Sequence, residues 1–131
     1  MPKKAKPSAE ATRRAKGSRR KGQTYERENA NRLKSVWPDA KRGIGQARSA
    51  KEVADVEGTP YWIEAKHHKR VNIRAAFNQG TEATDGRPVV VVSRDTNKPP
   101  DLVTMSFDEW LRLVAELAKL RKVVDDYLDK V

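Results

Sequence analysis

The sequence predicts an α/β domain in which helices cover both sides of a mixed β-sheet. Three observations carry that expectation. Periodicities read helix, strand, strand, helix, strand, strand, helix, the order of a layered α/β architecture. Val89 to Val92 is a run of four valines behind Pro88, too short for a helix and apolar throughout, as a strand buried on both faces is. From Ser106 to the last residue, apolar side chains step by three and four without a break, which predicts a long C-terminal helix.

Thr24 to Val36 predicts the first helix. Thr24 can cap it, Glu26 and Glu28 suit its first turns, and Ala30, Leu33 and Trp37 recur at helical spacing before Pro38 stops it. Lys41 to Lys51 is polar and glycine-bearing and reads as a strand edge or mobile loop. Val53 to Val56 and Tyr61 to Lys66 form a hairpin about the turn Gly58-Thr59-Pro60. Asn72 to about Asp85 is the second helix, on Ile73, Ala76 and Phe77, ending near Gly86. The valine strand follows, then a short strand from Leu102 to Met105 after Pro99-Pro100.

The last helix opens at Ser106, with Glu109 three residues on completing a capping box. Trp110, Leu113, Leu117, Leu120, Val124, Tyr127 and Val131 form the seam of a heptad repeat, which Leu111, Val114, Val123 and Leu128 widen. At ~1.5 Å per residue the helix is on the order of 35 Å long, more than one sheet face needs. Part of it is expected to pack on the core and part to meet a second subunit in a homodimer. The competing reading is a wholly intramolecular helix.

At 131 residues the chain is one domain, divided as a basic tail at 1–21, a core at 22–105 and the amphipathic helix at 106–131. Of the net charge of +10, residues 1 to 22 carry +8. This tail has Arg13-Arg14 and Arg19-Arg20-Lys21 but no large apolar residue after Met1, so it is expected to be disordered. Basic arms of this kind bind phosphate backbones by releasing counterions, without reading sequence; the alternative is a solubilising extension. No apolar stretch follows the charges as in a secretory signal, and none approaches the ~18 residues of a membrane span. A partner is therefore sought in nucleic acid and not in a membrane, with a cytoplasmic setting in a bacterial, archaeal or phage-infected cell. The absence of cysteine excludes disulfides, thiolate metal sites and a cysteine nucleophile. His67 and His68 are adjacent on a strand and face opposite sides, which disfavours a shared zinc site.

Chemistry concentrates between Asp55 and Lys66. Residues two apart on a strand share a face, so Glu64 and Lys66 project together while Ile63 and Ala65 turn away. If the turn folds the chain back, Asp55 comes alongside Glu64 and two carboxylates and an ammonium share one small space. Two hard oxygen donors suit Mg²⁺, which keeps several waters and prefers carboxylates plus substrate phosphate oxygens. The competing reading of Glu64 and Lys66 is a solvated surface ion pair.

The segment Lys21-Gly22-Gln23-Thr24-Tyr25-Glu26-Arg27-Glu28, followed by Arg42, Asp55 and Ile63-Glu64-Ala65-Lys66, resembles the archaeal-type Holliday-junction resolvases of the PD-(D/E)XK, or restriction-endonuclease-like, nuclease superfamily. The likeness covers roughly residues 21 to 93. It implies a restriction-endonuclease-like core in which Asp55, Glu64 and the Ala65 carbonyl hold Mg²⁺, with Mn²⁺ able to substitute. Glu26 would hold a metal-bound water or a second ion, and Lys66 would activate the attacking water and stabilise charge on the phosphorane. Arg27 and Arg42 would contact phosphates, and Gln79 matches a glutamine often found on the helix after the Glu-x-Lys strand. Arg48, Lys69, Arg70, Arg19, Arg20 and Lys21 complete the expected DNA-contacting set. The chain departs from the pattern in having Ala54 before Asp55, its literal Pro-Asp being Pro38-Asp39. The expected function is a Mg²⁺-dependent DNA endonuclease selective for branched DNA such as Holliday junctions, acting in recombination or repair. A flap or duplex-end nuclease of the same superfamily and a non-catalytic DNA-binding protein are the alternatives.

Overall fold

The computed structural model describes residues 5, 6, 8–44 and 52–131. Its elements are α1 (Ala9–Leu33), β1 (Lys41–Arg42), β2 (Val56–Glu57), β3 (Trp62–His68), α2 (Ile73–Ala83), β4 (Val89–Asp95), β5 (Lys98–Met105) and α3 (Phe107–Asp129). One five-stranded sheet runs in the order β1-β2-β3-β4-β5. Its pairs are antiparallel except β3 with β4, where α2 makes the crossover that parallel strands require. The sheet is therefore mixed.

The register sorts the side chains into two cores. Val89 and Val91 face α2 and pack with Trp62, Ala76 and Phe77, whereas Val90 and Val92 face α1 and pack with Ala30, Leu33, Val56 and Ile63. Helices α1 and α2 thus lie on opposite faces of the sheet, as expected, and the valine run is covered on both. A charged network also ties α1 to β4 and β5. Arg94 donates to both oxygens of Glu28 and of Asp101, lies over the Tyr25 ring, and Tyr25 donates its hydroxyl proton to Asp101.

Several boundaries differ from the sequence expectation. Residues 9–21, expected to be disordered, form the first half of α1, which starts fifteen residues ahead of Thr24. Ser8 accepts from the Ala11 N–H as N-cap, Arg14 donates to Glu10 one turn away, and Ala, Lys and Arg favour helix. Residues 9–20 are all exposed, so local propensity and continuity with the packed turns from Tyr25 to Leu33 hold this half. Strand β2 is shorter than the expected Val53–Val56 because the Ala54 N–H goes to the Glu57 carboxylate and not to a neighbouring strand. Strand β5 begins before Pro99-Pro100, since an edge strand does not need every N–H in the ladder. Asn97, at φ 61°, turns the chain between β4 and β5.

Helix α3 departs furthest from expectation: it does not pack on the core. Ser106 accepts from the Glu109 N–H, but the Glu109 carboxylate takes a hydrogen bond from Arg112, so only half of the capping box forms. No residue of α3 is buried and no other element packs along it. Among the described residues no helix is long and apolar enough to cross a membrane.

Candidate active site

The hairpin from β2 to β3 brings the acids together. Gly58, at φ 84°, makes the turn where a side chain would run into the Asp39 carbonyl, and Thr59 and Tyr61 exchange hydrogen bonds across the loop. The Asp55 N–H then donates to the Ile63 carbonyl, and the Ala65 N–H donates to Asp55 Oδ2 at 2.9 Å. Glu64, Lys66 and Trp62 share the α2 face of β3, as residues two apart must. Lys66 Nζ lies 3.4 Å from Glu64 Oε2 and 3.9 Å from Asp55 Oδ2.

This is not a solvated strand face. The Glu64 side chain is only 5% exposed, and Trp62 Nε1 donates to Glu64 Oε1 at 2.9 Å. On the other side Gly80 of α2 leaves the room that Glu64 occupies, since a Cβ there would stand 3.2 Å from Glu64 Cγ and 2.6 Å from Val89 Cγ1. Burial, and then the charge of Glu64, push the Asp55 carboxyl up to about 7, with Lys66 and the Ala65 N–H opposing them. A second cation would relieve that repulsion.

Glu26 reaches the same field from α1. Burial raises its carboxyl above the usual range, while Arg42 and Lys66 draw it down. Glu26, Arg42 and Asp55 line one cavity of about 330 Å³ with Gln23, Gly43, Val53 and Ala54. Gly43 is there for contact, because a Cβ would meet the Ala54 carbonyl.

Among the described residues no three Asp, Glu or His groups converge at ligand distance. Asp55 and Glu64 are the two that do meet, and Asp55 Oδ1 and Glu64 Oε2 accept no hydrogen bond from the described residues. Two such oxygens, one carbonyl and the remainder water or phosphate is a set that fits Mg²⁺. Glu26 is not among these donors, though it shares the cavity with Asp55.

The residues expected from the sequence to contact DNA are only partly assembled. Arg42 is at the site. Arg27, one residue past Glu26, turns to another side of α1 and lines a separate cavity with Thr24 and Arg32. Gln79 is exposed on α2 and lines a cavity with Glu57, Glu82 and Asp85, not the Glu26 cavity. Lys69 and Arg70 are exposed in the bend after β3, and Arg19 is exposed on α1. Arg20 and Lys21 line a basic recess with His67 and Arg94, where burial and then Lys21 and Arg94 lower the His67 pKa. Arg48 lies outside the described residues.

Sequence reasoning missed Trp62, Gly80 and Gln23. Trp62 stands two residues before Glu64, so shared strand parity was the signal available. Gly80 follows Ala76 by one helical turn, which puts it on the same buried face of α2. No family model, curated protein or solved structure matches this chain.

Proposed function

We propose that the protein is a Mg²⁺-dependent endonuclease that hydrolyses DNA phosphodiester bonds, on a restriction-endonuclease-like core, with selectivity for branched DNA such as four-way junctions. The observation that carries this reading is the meeting of two half-buried or buried carboxylates, Asp55 and Glu64, on the one ammonium of Lys66. Burying like charges is costly and persists where a site needs them. A protein that only bound DNA would gain nothing from acids facing phosphate.

Asp55, Glu64 and the Ala65 carbonyl would hold the ion. A bound Mg²⁺ offsets phosphate charge and makes its water more acidic. Lys66 orients the attacking water by hydrogen bonding and stabilises negative charge as it grows on the phosphoryl oxygens. Trp62 holds Glu64 Oε1 by its indole N–H, which leaves Oε2 beside Lys66. Arg42 contacts a phosphate beside the scissile one, and Glu26 positions water across the cavity they share. The exposed basic half of α1 supplies sequence-independent attraction to the backbone.

Incubation with four-way junction, flapped and linear duplex DNA, in Mg²⁺ or in EDTA, tests the reading. Mg²⁺-dependent symmetric nicks across the junction are expected. Cutting confined to flaps or duplex ends replaces junction selectivity with the alternative nuclease. Junction binding without cleavage of any substrate replaces the nuclease with a DNA-binding protein.

A further inference from the structure

We propose that α3 is a dimerisation element: two copies pair their α3 seams in parallel and in register, which carries both candidate active sites to one end of a two-stranded coiled coil. The occupant of this face is a second copy of the chain. Leu113, Leu117 and Leu120 are 41%, 44% and 63% exposed, so a seam that should be the driest part of the helix is wet in the single chain. Trp110, Leu117 and Val124 take the first position of successive heptads, and Leu113, Leu120 and Tyr127 the fourth. Leucine at the fourth position with a β-branched residue at the first favours two strands, and Leu120 followed by Val124 is the one place in the seam that supplies the combination.

The residues flanking the seam choose the direction. In a parallel pair each residue before a first position meets the partner's residue five further on. That sets Glu116 against Arg121 of the partner subunit, twice by symmetry, and Val123 against Leu128 of the partner subunit, an apolar pair on an apolar layer, with Glu109 against Val114 of the partner subunit as the single mismatch. Antiparallel pairing sets Glu116 against Val123 and Arg121 against Val114, and matches only Glu109 with Lys130 and Phe107 with Leu128 near the helix ends. Parallel pairing, with one mismatch against two and its charge pair at mid-helix, is therefore the more complementary. Because α3 follows β5 directly, both domains emerge at the same end of the pair. Paired cuts in one branched substrate would follow from that geometry, and this consequence alone rests on the nuclease reading.

The chain has no cysteine, so single cysteines report geometry cleanly. In full-length protein, Leu113→Cys should form a disulfide with itself on mild oxidation, because parallel pairing brings the two copies within bonding reach. In an antiparallel pair those positions stand ~16 Å apart, and a mixture of Leu113→Cys with Val124→Cys would cross-link instead. Sedimentation at tens of micromolar should give a dimer. Leu117→Asp with Leu120→Asp should give a monomer with unchanged cooperative unfolding, since neither residue touches the core. A wild-type monomer, or cross-linking only in the mixture, would overturn the proposal whether or not the protein cuts DNA.

Discussion

At Asp55 two costs add: removal from water and the neighbouring charge of Glu64. An unfolded Asp titrates near 3.8 and the folded one near 7, so the folded state holds the proton more tightly. The stability this confers is complete below about pH 4 and lost as pH rises through 7. In EDTA, wild-type protein should therefore lose roughly 1–3 kcal/mol from this group between pH 4 and pH 8, while Asp55→Asn should not. Urea unfolding of both across that range checks it, and identical pH profiles would refute the burial of this charge. Gly80→Ala should cost roughly 1–3 kcal/mol, because Val89 is a strand residue that cannot swing away, and should slow cleavage by displacing Glu64. Normal stability and activity in that variant would show the close approach to be unimportant. Asp55, Glu64 and Lys66 were legible from strand parity and one turn. Trp62 and Gly80 were not singled out, because their roles depend on the packing of α2 against β3, a contact that no local pattern announces.

Among the elements, α1 separates into a half that packs and a half that does not. Its junction with the sheet runs through Tyr25, Asn29 and Ala30, while every residue from Ala9 to Arg20 is exposed. Charge composition correctly marked this segment as unable to bury anything, yet helix needs no burial where Ser8 caps it and a packed helix continues it. Removing residues 2 to 20 should weaken DNA binding at low salt and flatten its dependence on salt, because fewer counterions are released. Affinities measured across a salt series test this, and an unchanged slope would mean the segment does not touch the backbone. The ends of β2 and β5 escaped the sequence for a different reason: side-chain hydrogen bonds at Ala54 and edge position at Pro99 decide them, and neither is periodic.

For the whole molecule, the order of elements other than β1 and the placing of helices on both faces followed from hydrophobic period, because each apolar stripe needs a layer to cover it, whereas β1 is two charged residues at the sheet edge and carries no period. The same logic expected α3 to cover the core in part. It fails there because α1 and α2 already cover the central strands, and α3 leaves the end of β5 without packing on any other element. The fold gathers Glu26 from α1, Arg42 from β1, Asp55 from the β2 hairpin and Glu64 and Lys66 from β3 into one region of a chain with net charge +10. Acids embedded in so basic a protein are the centre of the account. The most direct test is to measure cutting and binding of a four-way DNA junction in Mg²⁺ by wild type, Asp55→Asn and Glu64→Gln. The account predicts wild-type cutting that EDTA abolishes, a loss of at least ~100-fold in each variant, and binding that is kept or strengthened as a negative charge is removed. Cutting at the wild-type rate by either variant would contradict it.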